Sequence, residues 1–538
     1  MSEFDFIVVG AGSSGCVLAN RLSENGKFSV LLLEAGGSDR NFWIWMPIGY
    51  GKTFYRRSVN WMYHTEPDPG IGGRVSYWPR GKVLGGSSAI NAMVYVRGQQ
   101  EDFDGWKHLG NPGWGWDDVL PYFKKLETND RGADEFRGGE GPVYISTMDG
   151  NRHPLCKTFV EAGQELQYRY NPDFNGKSQE GVGNYQNTVK GGLRMSAARA
   201  YLAPARGRSN LKIETNAHAT QILFAGKRAT GVAYTQKGKP KVARARREVV
   251  VAGGAINSPQ LLQLSGIGPQ QLLSEHGIDV IHDAQGVGRH LQDHLCIDYL
   301  YRSKVPTLNE QLYPWYGKIW EGMKYLLTRR GPLSLGLNQA GGFIRSKAEL
   351  KSPNIQLFFS PVSYTKTPPG TRPLMSPDPF PGFLLSAQPM KPSSRGHLGI
   401  RSADPFEAPE IHPNYLSTDH DIEEMLESAK LLRQFAQTPA LSKIIAAEIA
   451  PGAHVVSDED LVTDLRQRTS TVFHPVSTCR MGPDPSTDVV DARLKVYGVE
   501  GLRVADTSIF PTLTSGNTNA PAIMVGERAA DLILQDQR

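Results

Sequence analysis

The stretch from Phe4 to Glu34 constrains this chain most. "FDFIVVG" is a short apolar run ending at Gly10, the pattern of a buried strand. Gly10-Ala-Gly12-Ser13-Ser14-Gly15 follows. Then come "CVLANRLSENG", with apolar residues at helical spacing, and "FSVLLLE", a second strand ending at Glu34. Strand, glycine turn, helix and strand with a terminal acid form the fingerprint of a dinucleotide-binding unit. Gly10 permits the tight turn, Gly12 lets backbone approach a pyrophosphate, and Gly15 lets the helix pack on the sheet. The helix N-terminus, with Ser13 and Ser14 beside it, offers free N–H groups and a positive dipole end to phosphates. Glu34 can accept hydrogen bonds from ribose hydroxyls, and its carboxylate would repel a 2′-phosphate, which argues against NADP. The fingerprint does not separate FAD from NAD.

At 538 residues the chain is too long for one simple core, so two domains are expected. Further glycine turns lie far from the first. In "REVVVAGGAINSPQLLQLSGIG" the reading is a buried strand, a turn at Gly253-Gly254 and a cap at Asn257 or Ser258. Pro259 then sits in the first turn of a short helix, Gln260 to Leu264. "GLRVADTSIFP" gives a strand ending at Asp506. "TSGNTNAPAIMVGERAADLIL" leads into a terminal helix with Asn519 as its cap and Pro521 in its first turn. Such a helix N-terminus suits a group that becomes negative during reaction, as a reduced flavin does. Gly85-Gly86-Ser87-Ser88 reads first as a helix start and second as a close approach to a ligand. The dinucleotide unit is thus assembled from the start, middle and end of the chain, with a substrate domain inserted.

From about residue 298 to 459 the composition changes. "NIQLFFSPVS", "PGFLLSAQPM" and "GHLGIRSADP" read as strands of an antiparallel sheet. Residues 365 to 382 contain six prolines and read as a long surface loop, with a lid as the alternative. "QLYPWYGKIWEGMKYLL" reads as an amphipathic helix packed on the sheet; a cover for the substrate entrance or a lipid contact are the other readings.

Net charge is +5 over this length, so no nucleic-acid partner is expected, and any pull towards an acidic membrane surface is weak. The N-terminus lacks a basic region, and its apolar run is too short and Gly-rich for a signal peptide. No apolar run reaches 18 residues, so no transmembrane helix is expected. Cys16, Cys156, Cys296 and Cys479 lie far apart with no Cys-x-x-Cys, which supports neither a zinc ribbon nor a dithiol motif. Few cysteines fit a reducing cytoplasm, and the expected location is cytoplasmic, with association at the inner face of the membrane left open.

"TVFHPVSTCRMG" contains His474, followed by Pro475, and Cys479. Three readings compete: a metal ligand pair, a thiol nucleophile with its histidine, or a histidine acting as a base. Pro475 biases His474 towards loop or extended backbone. No cluster with zinc-like spacing accompanies the pair, so no metal is expected. Nothing in the spacing poises a base beside Cys479. The residues alone favour a structural histidine.

Taken together, these segments resemble the glucose–methanol–choline oxidoreductases, an FAD-dependent alcohol-oxidising family. "GKVLGGSSAINAMVYVRG" and "GAINSPQLLQLSGIG" look like the family's two signatures. The N-terminal fingerprint, "GVGRHLQDH", "HPVSTCRMG" and "GLRVADTSIFPTLTSGNTNAP" fit in the right order. The resemblance is nearest to bacterial choline-dehydrogenase-like and aliphatic-alcohol dehydrogenases. It implies an α/β fold: a Rossmann-like FAD-binding domain from discontinuous segments (1–155, 191–297 and 460–538) and an inserted α+β substrate domain with an antiparallel sheet (156–190 and 298–459). It implies FAD with its ADP half on Gly12, Ser13, Gly15 and Glu34, and its flavin lined by Val83, Gly86, Asn91 and Val94. Ala219 would reach the adenine side and Asp506 the ribityl or pyrophosphate. Some members bind flavin covalently through a histidine just before the position of Asn91. Here that residue is Ile90, so non-covalent FAD is expected.

The family carries its catalytic histidine at the head of the "HPVSTCRMG" motif, which makes His474 the base for an alcohol proton. Its partner aligns with Asn517, which would hydrogen-bond the substrate oxygen. Cys479 is assigned to packing. Choline-oxidising relatives are expected to carry a glutamate at the place of Gln339, so a neutral Gln339 favours an uncharged primary alcohol, aliphatic or aryl, with Phe473 walling an apolar pocket. The expected activity is a dehydrogenase passing electrons to a quinone or other carrier. The alternatives are an oxidase using O2 and, less favoured, a lyase or decarboxylase.

Overall fold

The computed structural model describes residues 2–364 and 376–537. The proline-rich loop expected at 365–382 therefore lies mostly outside the described residues.

Strand Ser2–Val9 runs parallel to Val30–Leu33 on one side and to the end of Lys239–Val251 on the other. Residues Phe6–Val9 and Val30–Leu33 are buried throughout, as strands covered on both faces must be. Among the described residues the sheet has seven strands. Leu211–Glu214 extends it beyond Val30–Leu33, and Leu502–Val504 pairs with Val249–Val251. The antiparallel strands Ala217–Ala225 and Arg228–Gln236 continue from Lys239–Val251. The start, middle and end of the chain thus share one sheet. Helices Ser13–Ser23 and Asn519–Asp536 pack together on it, and a Cβ at Gly526 would sit 2.9 Å from Ser14 O and from Val17 Cβ. Arg21 and Glu527 bridge the same pair of helices at 2.8 Å.

The second sheet is antiparallel, in the order Ile445–Ala450, Leu295–Ser303, Gly382–Pro389, Ile355–Ser360, Ala340–Ile344, Gly181–Asn184, with Ser470–Thr471 pairing at Leu295–Cys296. Its central strands alternate with period two. Leu357, Phe359, Phe383, Leu385 and Ala387 join the core shared with helix Asp419–Gln437, while Phe358, Leu384 and Ser386 face a large cavity. The expected fold class is the one observed: a discontinuous Rossmann-like sheet with an inserted antiparallel sheet.

Three local readings are corrected. The helix read as Gln260–Leu264 spans Gly254–Leu264. Pro259 lies inside it rather than in its first turn, and cannot donate to the Ala255 carbonyl. Thr478 Oγ1 supplies a donor to that carbonyl at 2.6 Å. "GHLGIRSADP" is not part of the main sheet; His397–Gly399 pairs with Glu410–His412 in a separate ribbon. Helix Trp315–Thr328 does not pack its apolar face on the sheet, because its large apolar residues are exposed and Glu321 and Tyr325 point inward.

Candidate active site

A cavity of about 1170 Å³ runs between the two sheets, larger than the roughly 300–1,000 Å³ of an ordinary small-molecule site. Its floor is the glycine fingerprint. Gly10, Gly12, Ser13, Ser14 and Glu34 line it, with Gly86, Asn91, Val94, Ala219, Asp506 and Asn519. The backbone here has no room for side chains. Gly10 has φ +97°, and a Cβ there would meet Ala252 O at 2.4 Å. Gly86 has φ +51°, and its Cβ would lie 2.7 Å from Gly12 Cα. The second glycine turn thus lies directly against the first: Gly86–Ala89 is a single helical turn rather than the start of a longer helix, and its close backbone approach is to Gly12. Gly15 does not line the cavity; a Cβ there would be 1.9 Å from Gly10 O, so it serves helix–sheet packing.

Glu34 is buried, and its carboxylate accepts from Ala11 N at 2.9 Å and Gly36 N at 2.7 Å. Burial pushes its pKa up to about 7. Asp506 Oδ2 accepts from Ser258 Oγ at 2.5 Å and Gly254 N at 2.8 Å, which ties the last strand to the helix after Val251. Asn519 does not cap its helix. It is the first helical residue, and its Oδ1 accepts from Ser13 Oγ at 2.7 Å, joining the N-termini of the two helices at the cavity. Asn91 Oδ1 accepts from the buried Arg194 guanidinium at 2.7 Å.

Two expected wall residues lie elsewhere. Val83 is fully buried behind the wall, in a cluster with Ile44, Val59, Ala89 and Ile90. Gln339 also misses the cavity: its Oε1 accepts from His153 N at 2.8 Å. Its neighbour Asn338 lines the cavity instead. Adjacent residues of an extended segment point to opposite faces, so the neutrality of Gln339 says nothing about substrate charge.

His474 and Asn517 meet on the cavity wall, as the resemblance implied. Asn517 Nδ2 lies 3.2 Å from His474 Nε2, and both line the cavity. The chain entering His474 is strained. Phe473 has φ +69°, an outlier for a bulky residue. It is held by Thr471 Oγ1, which accepts from Phe473 N at 2.7 Å, and by Arg80, which donates to Phe473 O at 2.6 Å. Asp293 Oδ1 accepts from His474 N at 2.7 Å, and Oδ2 from Tyr415 Oη at 2.5 Å.

The hydrogen bonds assign the histidine tautomers. His294 Nε2 lies 3.0 Å from the Met390 carbonyl, which can only accept, so Nε2 carries the proton. Burial lowers the His294 pKa to about 4, leaving the ring neutral. Its Nδ1 is then an acceptor, 3.0 Å from His474 Nδ1. His474 therefore donates from Nδ1, and its Nε2 keeps a lone pair, which Asn517 Nδ2 meets at 3.2 Å. Burial first, then the Arg80 charge, hold the His474 pKa well below the usual imidazole range. Asn517 is oriented in turn: its Oδ1 accepts from Gln356 Nε2 at 3.3 Å, which leaves Nδ2 towards His474.

Asp293, His294, Arg80 and Gln356 were not named as site residues from the sequence. The signal for the first two stood in "GVGRHLQDH", whose last residues are Asp293 and His294. Cys479 is fully buried in the core of the first sheet, with its thiol pKa raised by burial. Cys479→Ala is expected to retain at least half the wild-type turnover; complete inactivation of a folded variant would contradict a packing role. Among the described residues no group of three or more His, Cys, Asp or Glu is placed to hold a metal, and no helix is long and apolar enough to cross a membrane.

Family models described as GMC oxidoreductase match residues 4–296 and 392–526. The chain belongs to the GMC oxidoreductase family. It is 43% identical over 536 residues to an alcohol dehydrogenase [acceptor] of Pseudomonas putida, covering 99% of this chain and 96% of that protein. It is also 43% identical to an oxygen-dependent choline dehydrogenase of Vibrio vulnificus, covering 99% and 95%. Among solved structures, pyridoxine 4-oxidase from Mesorbium loti superposes with a TM-score of 0.88 at 30% identity, covering 99% of both chains. As a GMC oxidoreductase this protein is an FAD-dependent enzyme oxidising an alcohol-like substrate. The cavity fits the cofactor: bare glycine backbone, two helix N-termini and a neutral His–Asn pair line the same space.

Proposed function

We propose that this enzyme oxidises a primary alcohol to the aldehyde, with His474 Nε2 as the base. The observation that carries this is the bond from His474 Nδ1 to His294, which leaves Nε2 unprotonated in a buried, neutral ring. The substrate hydroxyl displaces the Asn517–His474 bond, donating to Nε2 and accepting from the released Asn517 Nδ2–H, so one oxygen is held by both groups. The proton moves to Nε2 as the carbinol C–H breaks. His294 Nδ1 accepts from the resulting imidazolium, and Gln356 keeps the Asn517 amide from turning. FAD, when bound, supplies the hydride acceptor at N5. We assign Gly10, Gly12, Ser13, Ser14, Glu34 and Ala219 to its ADP half and Gly86, Asn91, Val94, Asp506 and Asn519 to the flavin half.

Ile90 lines the cavity where a histidine would be needed for attachment, so we take FAD to be non-covalent. Acid precipitation should release the yellow flavin into the supernatant; colour kept in the pellet would contradict this.

For the substrate we favour an uncharged aliphatic or aryl alcohol, on the walls of Tyr50, Phe54, Phe358, Tyr364 and Phe473. Choline is the second reading, favoured by Asp298 in the same wall and by the names of several relatives. The acceptor expected from the sequence was a quinone or other carrier. The relatives named as oxygen-dependent or as oxidases favour O2 instead, and the name of the Pseudomonas putida relative keeps a non-oxygen carrier as the second reading. We place the enzyme in the cytoplasm, with its membrane contact taken up below. Mixing the FAD-loaded protein anaerobically with an alcohol panel that includes choline tests the reading: bleaching of the flavin by a primary alcohol is expected, and none with any alcohol would refute it. Admitting air then separates the acceptors by the reoxidation rate.

A further inference from the structure

Helix Trp315–Thr328 inverts the usual arrangement of an amphipathic helix. Its buried residues are Glu321 and Tyr325. Tyr325 Oη donates to Gly192 O at 2.9 Å, and Glu321 lies 3.6 Å from Lys324. Every other large apolar residue from Trp315 to Leu327 is exposed, Trp315 at 74% and Leu327 at 85%. At about 100° per residue, these side chains fall within one arc of about 140°, opposite Glu321 and Tyr325. Lys318 and Lys324 border the arc, one on each side, and both are exposed.

We propose that this helix docks the enzyme on an anionic lipid surface, lying flat with Trp315, Ile319, Trp320 and Leu327 in the headgroup region. Tryptophan and tyrosine suit that region because each has an apolar body and a polar tip. The charges are complementary. Lys318, Lys324, Arg329 and Arg330 are exposed along or just beyond the helix, and the helix's one acid, Glu321, faces the protein. A helix of 14 residues is about 21 Å long, short of the roughly 30 Å hydrocarbon core, so it lies on a bilayer rather than crossing it. A second copy is a poorer occupant. A strip about 21 Å by about 10 Å offers roughly 200 Å², against the roughly 800 Å² per partner of a stable interface.

The helix also adjoins the cavity. Leu308 and Leu312, just before it, pack in one cluster with Tyr50, Phe54 and Phe473, which wall the cavity. Docking would set this apolar end beside the bilayer, where a poorly water-soluble alcohol partitions. That consequence rests on the proposed function, but docking itself does not.

The test is co-sedimentation of the full-length FAD-loaded protein with vesicles of phosphatidylglycerol and phosphatidylcholine, or of phosphatidylcholine alone. Wild type should bind the anionic vesicles at least 10-fold more tightly than the neutral ones. Trp315→Ser/Trp320→Ser/Leu327→Ser should lose at least 10-fold of that binding while keeping flavin content and melting temperature. Lys318→Gln/Arg330→Gln should weaken anionic binding alone. Absence of wild-type binding, or equal binding by the triple variant, would overturn the proposal. So would a wild-type dimer, without vesicle binding, that the triple variant dissociates. The vesicle assay needs no alcohol, so failure of the alcohol reading leaves its result intact.

Discussion

His474→Ala is expected to bind FAD as wild type does and to be reduced by alcohol 10²- to 10⁴-fold more slowly, the usual worth of a positioned general base. The separation of binding from rate follows from geometry. The hydrogen bonds of His474 go to Asp293, His294 and Asn517, and none of the fingerprint residues depends on it for one. Asn517 would lose the contact at 3.2 Å but keep its bond to Gln356. Single-turnover reduction under anaerobic conditions reads the effect. A rate within threefold of wild type would remove His474 from the chemistry.

His294→Leu is expected to slow the same step by about 10- to 100-fold, in the range of groups that orient a catalytic or ligating histidine. Leucine fills similar space but accepts no hydrogen bond. The His474 Nδ1–H would then lie buried and unpaired, which costs about 1–3 kcal/mol. Moving the proton to Nε2 would not relieve this, because an Nε2–H would face the Asn517 Nδ2–H donor. Either tautomer is mispaired, and the ring loses the orientation that keeps its Nε2 lone pair in place. A purely structural role for His294 would lower stability without changing the rate of the folded fraction. Flavin content and melting temperature, measured beside the reduction rate, therefore separate the two. His294→Asn, which restores an acceptor near Nδ1, should recover part of the rate.

The glycine fingerprint was legible because its requirements are local. A turn, a close approach and a helix packed on a strand all fall within Gly10–Gly15, and only glycine meets them. His474 and Asn517 are 43 residues apart; spacing alone left His474 structural, and the resemblance supplied the pairing. His294 is 180 residues from His474, and its role arises only from the orientation of two rings and one carbonyl. Gln339 was taken from the resemblance, and Asn338 lines the cavity instead, because an extended segment alternates and a position in it does not show which face meets the cavity. The helix at Trp315 shows the same limit on a larger scale. Periodicity reveals an apolar stripe, but not whether it turns inward; here Glu321 and Tyr325 anchor the helix and the stripe faces out. The helix after Val251 begins at Gly254, earlier than its composition suggested. Its proline is tolerated because Thr478, far along the chain, donates to the Ala255 carbonyl. The hairpin strands from Ala217 to Gln236 were not read at all. Their exposed outer residues blur the alternation, and the turn at Lys237-Gly238 is marked mainly by backbone angles, φ +51° and +77°.

The central claim is that His474 works as a neutral base whose ring is held uncharged by burial and by Arg80 and whose tautomer is set by His294. A base is active when unprotonated, so a lowered pKa moves the loss of activity to lower pH. The direct measurement is the anaerobic rate of flavin reduction by a saturating alcohol from pH 5 to 9. The rate should stay level as pH falls through the ordinary imidazole pKa of about 6.5 and decline only below it, and His294→Leu should change both the level and the midpoint. A rate already halved at or above pH 6.5 would contradict a neutral, buried His474 as the proton acceptor.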